Sequence, residues 1–190
     1  MSQPLPPRGE WTAEVVNCLP EDDNLYEVID GQLHVVYGNE QSHTYAVWSL
    51  ALTIVRFAWL VDLDVMLGPR PFRFSDRRLV HPDIVVPGVP PLDSSTPDLP
   101  LAPELIVEVA TPYSRRLDWT TKRELYAAER VREYWVVDIA GEEVSVYRPD
   151  SHLPKLYKGS LTWDPSVGGD KLTIDLDAYF AARPFPLYAW

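Results

Sequence analysis

The sequence predicts an α/β (α+β) fold in which a mixed β-sheet is flanked by helices. Strand patterns at 104–110 and 133–138 enclose a helical pattern at 118–131, and the right-handed crossover of such a βαβ unit makes its two strands parallel. Hairpin patterns before and after this unit add antiparallel strands. The 190 residues suit one domain, since about 100–200 residues per domain is usual. We expect an N-terminal arm or short helix at 1–24 and a single domain at 25–190.

The first elements follow from turn signals. Within the N-terminal arm, a short helix is predicted around residues 10–19. Tyr26–Ile29 and Leu33–Val36 are separated by Asp30-Gly31, a dipeptide that is typical of two-residue hairpin turns. The chain is therefore expected to enter the domain as a β-hairpin.

The apolar spacing becomes helical after this hairpin. We expect Asn39 to cap the helix, with Glu40 stabilised at the positive end of the helix dipole. The apolar stripe comprises Val47, Leu50, Ala51, Ile54, Val55 and Ala58. This pattern predicts one long amphipathic helix.

The remaining elements are short. Strands are predicted at 61–67, 71–75, 79–86, 143–148, 155–158 and 171–174, with a proline-rich loop at 87–103 and a last helix at 177–182.

Charge and composition restrict the function. Lys and Arg total 17 against 28 Asp and Glu, which gives a net charge of −11. Non-specific binding to nucleic acid depends on basic residues that neutralise phosphates, so any such role must be local, with a metal ion or a partner supplying positive charge. The single cysteine, Cys18, allows no internal disulfide and no Cys-x-x-Cys zinc pair. The most apolar stretch, 46–61, is interrupted by Arg56, so a cytoplasmic protein without a membrane partner is expected.

Glu108 is the most informative candidate residue. It lies inside the apolar run Leu105–Ala110, which is typical of a strand buried on both faces. A carboxylate there is costly unless a cation or hydrogen bonds compensate for it. A site residue is the favoured interpretation, and the alternative is a strand-end glutamate paired with a nearby arginine.

Asp83 and Lys122 can each be interpreted as a site residue or as a structural residue. Asp83 follows Pro82 where a strand begins, so it is either a site carboxylate or part of a common Pro-Asp turn. Lys122 shares a helical stripe with Leu125 and Tyr126, which directs it toward the sheet. The alternative for Lys122 is an i, i+4 pair with Asp118 on a partly exposed face.

Together these residues suit metal-dependent phosphodiester hydrolysis. Two carboxylates on neighbouring strands can hold a hard cation such as Mg²⁺, or Mn²⁺ in its place. Lys122, on the helix that follows, can position the attacking water or help to deprotonate it, and the metal stabilises charge on a phosphate oxygen.

Several motifs in order resemble one protein family. They are His81–Val86, Pro103–Pro112, Asp118, Lys122, Tyr126 and Glu133–Asp138, with Tyr26–Gly31 and the helix near His43 matching the N-terminal half. The family is a bacterial group of restriction-endonuclease-like proteins, mostly uncharacterised, with the PD-(D/E)XK nuclease fold. The resemblance covers roughly residues 25–148. It implies a restriction-endonuclease-like mixed sheet with β-hairpin additions at both ends.

The resemblance also implies roles for individual residues. Asp83 and Glu108 match the metal-binding carboxylates. The family usually has a lysine two residues after the second acid, but this position is Ala110 here. The resemblance suggests that Lys122 takes the place of that lysine. The accessory residues are Glu27, His43, Asp118 and Tyr126, although His43 is equally well explained as a first-turn residue beside the core. Arg130-Val131 stands where the family usually has Gly-Val.

Three hypotheses follow for the function. The first is a Mg²⁺-dependent nuclease acting on DNA or RNA, with DNA favoured. The second is a non-catalytic binding or regulatory protein on the same scaffold, since a fold does not determine function. The third is a hydrolase that uses Asp83 and Glu108 as acid and base without metal, which gives Lys122 no role.

A homodimer is also expected. An exposed sheet edge and an aromatic C-terminal segment indicate it, and these aromatic residues are Phe180, Phe185, Tyr188 and Trp190. The alternative is that the same residues fold back onto the core.

Overall fold

The computed structural model describes residues 6–20, 22, 24–36, 41–88, 102–151 and 153–182. Within these residues the strands are β1 Leu25–Ile29, β2 Gln32–Val36, β3 Met66–Leu67, β4 Phe72–Ser75, β5 Arg78–Val80, β6 Ile84–Val86, β7 Leu105–Ala110, β8 Glu133–Asp138, β9 Glu143–Tyr147, β10 Lys155–Tyr157, β11 Ser160–Trp163 and β12 Leu172–Asp175. The helices are α1 Ala13–Val16, α2 Gln41–Leu60, α3 Arg115–Leu117, α4 Arg123–Ala128 and α5 Leu176–Ala181, with a π-helical turn at Asp118–Lys122 between α3 and α4.

The described strands form a central mixed sheet with the order β10-β9-β8-β7-β6-β3. β7 and β8 run parallel, as the βαβ pattern predicts, while the other neighbouring pairs are antiparallel. A smaller sheet has the order β2-β1-β5-β4, and β11 pairs with β12. The expected restriction-endonuclease-like fold, a mixed sheet with hairpins on either side in sequence, is therefore confirmed.

Two apolar cores lie on opposite faces of the central sheet. On one face α2 contributes Leu50 and Ile54, which pack with alternate residues of the central strands and with Trp163. On the other face α4 packs Leu125 and Tyr126 against residues of β6, β7 and β8. Each fully buried Leu or Ile side chain stabilises such a layer by about 1.5–3 kcal/mol.

The β1–β2 hairpin turns at the predicted dipeptide. Asp30 and Gly31 have φ values of 51° and 80°, the left-handed conformation that a tight hairpin turn requires. A Cβ at Gly31 would overlap the carbonyl of Gly9, so this position needs glycine for space as well as for conformation. The hairpin also positions a candidate site residue, because β1 carries Glu27.

Two predicted strands differ from the structure. The strand predicted at 79–86 is two strands in different sheets, because the chain bends at His81-Pro82-Asp83, where Pro82 cannot donate to a ladder. Of the strand predicted at 61–67 only Met66–Leu67 is extended. Helix α2 runs on to Leu60 and closes with a turn in which Leu63 N–H donates to the Ala58 carbonyl.

The helices also differ in detail. The helix predicted at 118–131 begins at Arg115 and ends at Ala128, where Arg130 adopts a left-handed φ of 56° in the position usually held by glycine. The helix predicted around 10–19 is confined to Ala13–Val16, capped by Thr12. Val55, predicted on the buried stripe of α2, is 37% exposed. β11 was not predicted, and the caps Asn39 and Glu40 and most of the loop at 87–103 lie outside the described residues.

None of the helices within the described residues is both long and apolar enough to span a bilayer.

Candidate active site

The pairing of β6 with β7 brings the two candidate metal-binding residues, Asp83 and Glu108, level with each other along neighbouring strands. Ile84 lies opposite Val107 in this antiparallel ladder, so the preceding Asp83 comes opposite Glu108. Asp83 is anchored to β7 as well, because its Oδ2 accepts a hydrogen bond of 2.8 Å from the Val109 N–H.

Three further candidate side chains come from the π-helical turn and from helix α4, which follows it. Asp118, Lys122 and Tyr126 are spaced four residues apart, and in a regular α-helix each such step rotates the side chain by about 40°. The wider turn at Asp118–Lys122 offsets this drift, and all three side chains are buried. Single π turns of this kind are frequent at functional sites.

Lys122 lies among three carboxylates. Its Nζ is 2.9 Å from Glu108 Oε1, 3.1 Å from Glu27 Oε1 and 3.8 Å from Asp118 Oδ1. The Tyr126 hydroxyl donates to the same Glu108 oxygen at 2.9 Å. Glu108 therefore pairs with a buried lysine and not with an arginine, and Lys122 points toward the sheet and does not lie on a partly exposed face.

The electrostatics of the cluster determine which groups are charged. Burial opposes the charge on Lys122, but Glu108, Glu27 and Asp118 outweigh it and raise its pKa well above the usual value. Burial raises the pKa of Glu108 well above its ordinary range; Lys122 opposes that shift, and neighbouring carboxylates add to it. Burial likewise raises the pKa of Asp118. Lys122 is thus a permanent cation at neutral pH, which suits it to hold an anionic group and not to remove a proton from water.

Asp83 contacts helix α2 as well as β7. Its Oδ2 lies 3.1 Å from Nε2 of His43, which is buried in the first turn of α2. A small cleft of about 90 Å³ opens beside this pair and is lined by His43, Thr44, Val47, Trp48, Gly68, Pro69 and Asp83. His43 therefore contacts Asp83, one of the two candidate metal-binding residues, directly.

Glu27 links the site to the smaller sheet. Its Oε1 accepts a hydrogen bond of 2.8 Å from the His81 N–H, in addition to its contact with Lys122. That bond holds the backbone segment between β5 and β6 that carries Asp83. The contributions of the His81 backbone and of Trp48 were not predicted, since neither a backbone donor nor the wall of a cleft leaves a sequence signal.

The donor set fits a hard divalent cation. Asp83 and Glu108 offer carboxylate oxygens, the ligands that Mg²⁺ prefers while it keeps several waters. Glu27 Oε2 is buried and accepts no hydrogen bond, so one acceptor oxygen of the cluster is left without a partner beside Lys122. Within the described residues no group of three or more His, Cys, Asp or Glu side chains is arranged to hold a metal. Asp83 and Glu108 are the residues that would hold such a cation, with water completing its coordination.

Comparison with known proteins agrees with this fold. No curated protein is significantly similar to the chain in sequence. A crystal structure described as a "putative nuclease belonging to DUF820", from Anabaena variabilis ATCC 29413, superposes with a TM-score of 0.71 at 19% sequence identity, covering 89% of this chain and 97% of that one. The model of the Uma2 family, described as "Putative restriction endonuclease", matches residues 13–175, which include every candidate site residue. The chain therefore belongs to the Uma2 family.

Proposed function

We propose that this protein hydrolyses phosphodiester bonds in nucleic acid, DNA in preference to RNA, with Mg²⁺ or Mn²⁺ held by Asp83 and Glu108. The observation that carries the proposal is the buried cluster in which three carboxylates, including that of Glu108, surround the Lys122 ammonium, with Asp83 bonded to the backbone of the next residue of β7. Membership of a family described as "Putative restriction endonuclease" supports the same substrate class.

Each residue has a distinct role in this proposal. The cation, when bound, supplies Lewis-acid stabilisation of charge on a phosphate oxygen. Asp83 and Glu108 hold it, while Lys122 provides a fixed positive charge for the phosphate or for the attacking water. Tyr126 and Glu27 keep Glu108 and Lys122 in place through the contacts described above.

The acidic surface makes the cation necessary for substrate binding too. A net charge of −11 repels a polyanion, so the affinity for DNA should depend on the divalent ion and on local basic groups. Binding that is as tight in chelator as in Mg²⁺ would argue against this part of the proposal.

Cleavage assays with isosteric variants test the proposal. Asp83→Asn and Glu108→Gln keep the size of each side chain but remove its charge, and each should lower Mg²⁺-dependent cleavage of DNA at least ~100-fold. Glu104→Gln is the matched control. Glu104 is also buried, and it lies directly before the first residue of β7, the strand that contains Glu108, where it accepts hydrogen bonds from Ser166. Full activity in both site variants would contradict the proposal.

A non-catalytic nuclease-fold binding protein is the second candidate. The observation that favours it is the lack, among the described residues, of a preformed cluster of three metal-binding side chains. Calorimetric titration with Mn²⁺ separates the two candidates. One saturable site in the wild type that is lost in Glu108→Gln supports the nuclease, whereas no binding supports the second candidate.

A further inference from the structure

Helix α2 carries an apolar stripe on the face that points away from the core. Trp48, Leu52, Val55 and Trp59 are 55%, 60%, 37% and 83% exposed. Their spacing of four, three and four residues places them within an arc of about 60° on the helix, roughly opposite the buried face. We call these four residues the outer seam of α2. Such spacing is that of the contact seam in coiled coils.

The charge of α2 is unusual for a surface helix of this protein. The helix contains no Asp or Glu and a single Arg, Arg56, although the whole chain has a net charge of −11. An exposed helix face without acids is a place where a second acidic molecule can approach without repulsion. The two tryptophans alone expose roughly 200–350 Å², a sizeable part of the about 800 Å² per partner that a stable interface buries. Leu60, which is 77% exposed, extends the patch at the C-terminal end of the helix.

The order of residues in the outer seam is the same in both directions. Read from either end it is tryptophan, aliphatic, aliphatic, tryptophan, with its midpoint between positions 53 and 54. Two copies that meet antiparallel about a two-fold axis at this midpoint place Trp48 beside Trp59 of the other copy and Leu52 beside Val55. Self-complementarity of this kind is what an isologous dimer interface requires.

We propose that the outer seam of α2 is the interface of a homodimer, in which the two α2 helices pack antiparallel. This proposal does not depend on the nuclease activity. It also locates the dimer elsewhere than the sheet edge and the C-terminal aromatic segment from which a dimer was predicted. Phe180 packs against the core beside Tyr179, and the other three aromatic residues of that segment lie outside the described residues.

The proposed interface begins at the candidate site. Trp48 lines the cleft that also contains His43 and Asp83. In the antiparallel arrangement the Trp59 end of the second copy comes next to Trp48 and therefore next to this cleft. The two sites of a dimer would lie on either side of the paired helices.

Complementary charged variants test this arrangement. Leu52→Glu alone places a carboxylate against Val55 of the other copy, and Val55→Lys alone places an ammonium against Leu52, so each should raise the dimer dissociation constant at least ~100-fold. Mixing the two variants brings the introduced carboxylate opposite the introduced ammonium at one contact and restores Leu52 against Val55 at the other. Light scattering and native mass spectrometry should show two monomers before mixing and a one-to-one heterodimer afterwards. Both positions are exposed, so thermal unfolding should show that each variant folds.

Other outcomes would overturn the proposal. If the wild-type protein is still monomeric at a concentration ~100 times a typical micromolar dissociation constant, it has no such interface. Dissociation by Leu156→Glu, a change on the exposed edge strand β10, with no effect of Leu52→Glu, would place the interface at the sheet edge. A monomer whose affinity for single-stranded DNA falls in Trp48→Ala and Trp59→Ala would make the seam a base-stacking surface instead.

Discussion

Lys122 is the residue that keeps the buried acids of this protein compatible with folding. Glu108, Glu27 and Asp118 all approach its ammonium, and the most exposed of the three, Glu108, is 5% exposed. Taking such charges out of water is costly, and the lysine is the cation that offsets the cost. The same residue therefore has a structural role and the proposed role in catalysis.

Replacing Lys122 should destabilise the protein more than replacing an acid of the cluster. Lys122→Met leaves three buried carboxylates without a cation, so the free energy of unfolding at neutral pH should fall by about 3–5 kcal/mol. Glu108→Gln should leave it unchanged or raise it, because glutamine can still accept the hydrogen bonds from Lys122 and Tyr126. Urea denaturation measures both. Equal stability of Lys122→Met and wild type would show that the cluster is not held by this charge.

The pKa of Glu108 predicts opposite pH effects on metal binding and on stability. Burial raises this pKa above 4.5, so the folded protein binds the proton more tightly than the unfolded chain does. The contribution of Glu108 to the free energy of unfolding is greatest when Glu108 is protonated. This contribution falls as the pH rises from 4.5 through the raised pKa. Cation binding needs the ionised form, so the affinity for Mn²⁺ should weaken as the pH falls through the same range.

Calorimetric titration with Mn²⁺ and urea denaturation, each repeated from acidic to neutral pH, measure these two effects. In Glu108→Gln the pH dependence of stability in this range should be smaller. An affinity for Mn²⁺ that does not change with pH in the wild type would contradict the raised pKa.

The elements of the fold differ in how far the sequence predicts them. The β1–β2 hairpin, the parallel pair β7–β8 and the core face of α2 follow from local patterns, and they appear in the structure nearly as expected. The π-helical turn does not follow, because its extra residue becomes favourable only when Lys122 meets Glu27 and Glu108 on two strands. The division of 79–86 into β5 and β6 depends likewise on Glu27, which holds the His81 backbone from another strand.

At the element scale, the hairpin turn should be sensitive to a single methyl group. Gly31→Ala combines a left-handed φ with a clash against the Gly9 carbonyl, and should lower the free energy of unfolding by about 2–3 kcal/mol. Gly169→Ala is the matched control, because Gly169 also has a left-handed φ of 71° but has open space around it. Its cost should be about 1 kcal/mol. Equal losses in thermal or urea denaturation would show that the close contact at Gly31 has no energetic effect.

At the scale of the whole molecule, the site is assembled from parts that are distant in sequence. β1 supplies Glu27, α2 supplies His43, the bend before β6 supplies Asp83, and β7 supplies Glu108. The seven candidate residues were predicted individually, the four accessory ones with help from the family resemblance. The structure joins five of them around Lys122 and Glu108 and pairs His43 with Asp83, which is held to the same strand through the Val109 N–H. Their mutual distances and the protonation of Lys122 could not be predicted, since both depend on how the two sheets pack.

The most direct test of the proposed function is a crystal grown with Mn²⁺ and measured for anomalous scattering. The account predicts one strong peak in contact with the carboxylates of Asp83 and Glu108, near Lys122, and no peak there in Glu108→Gln crystals. The Glu104→Gln control should keep the peak. A wild-type map with no peak between Asp83 and Glu108 would contradict the metal-dependent nuclease and leave the non-catalytic scaffold as the better account.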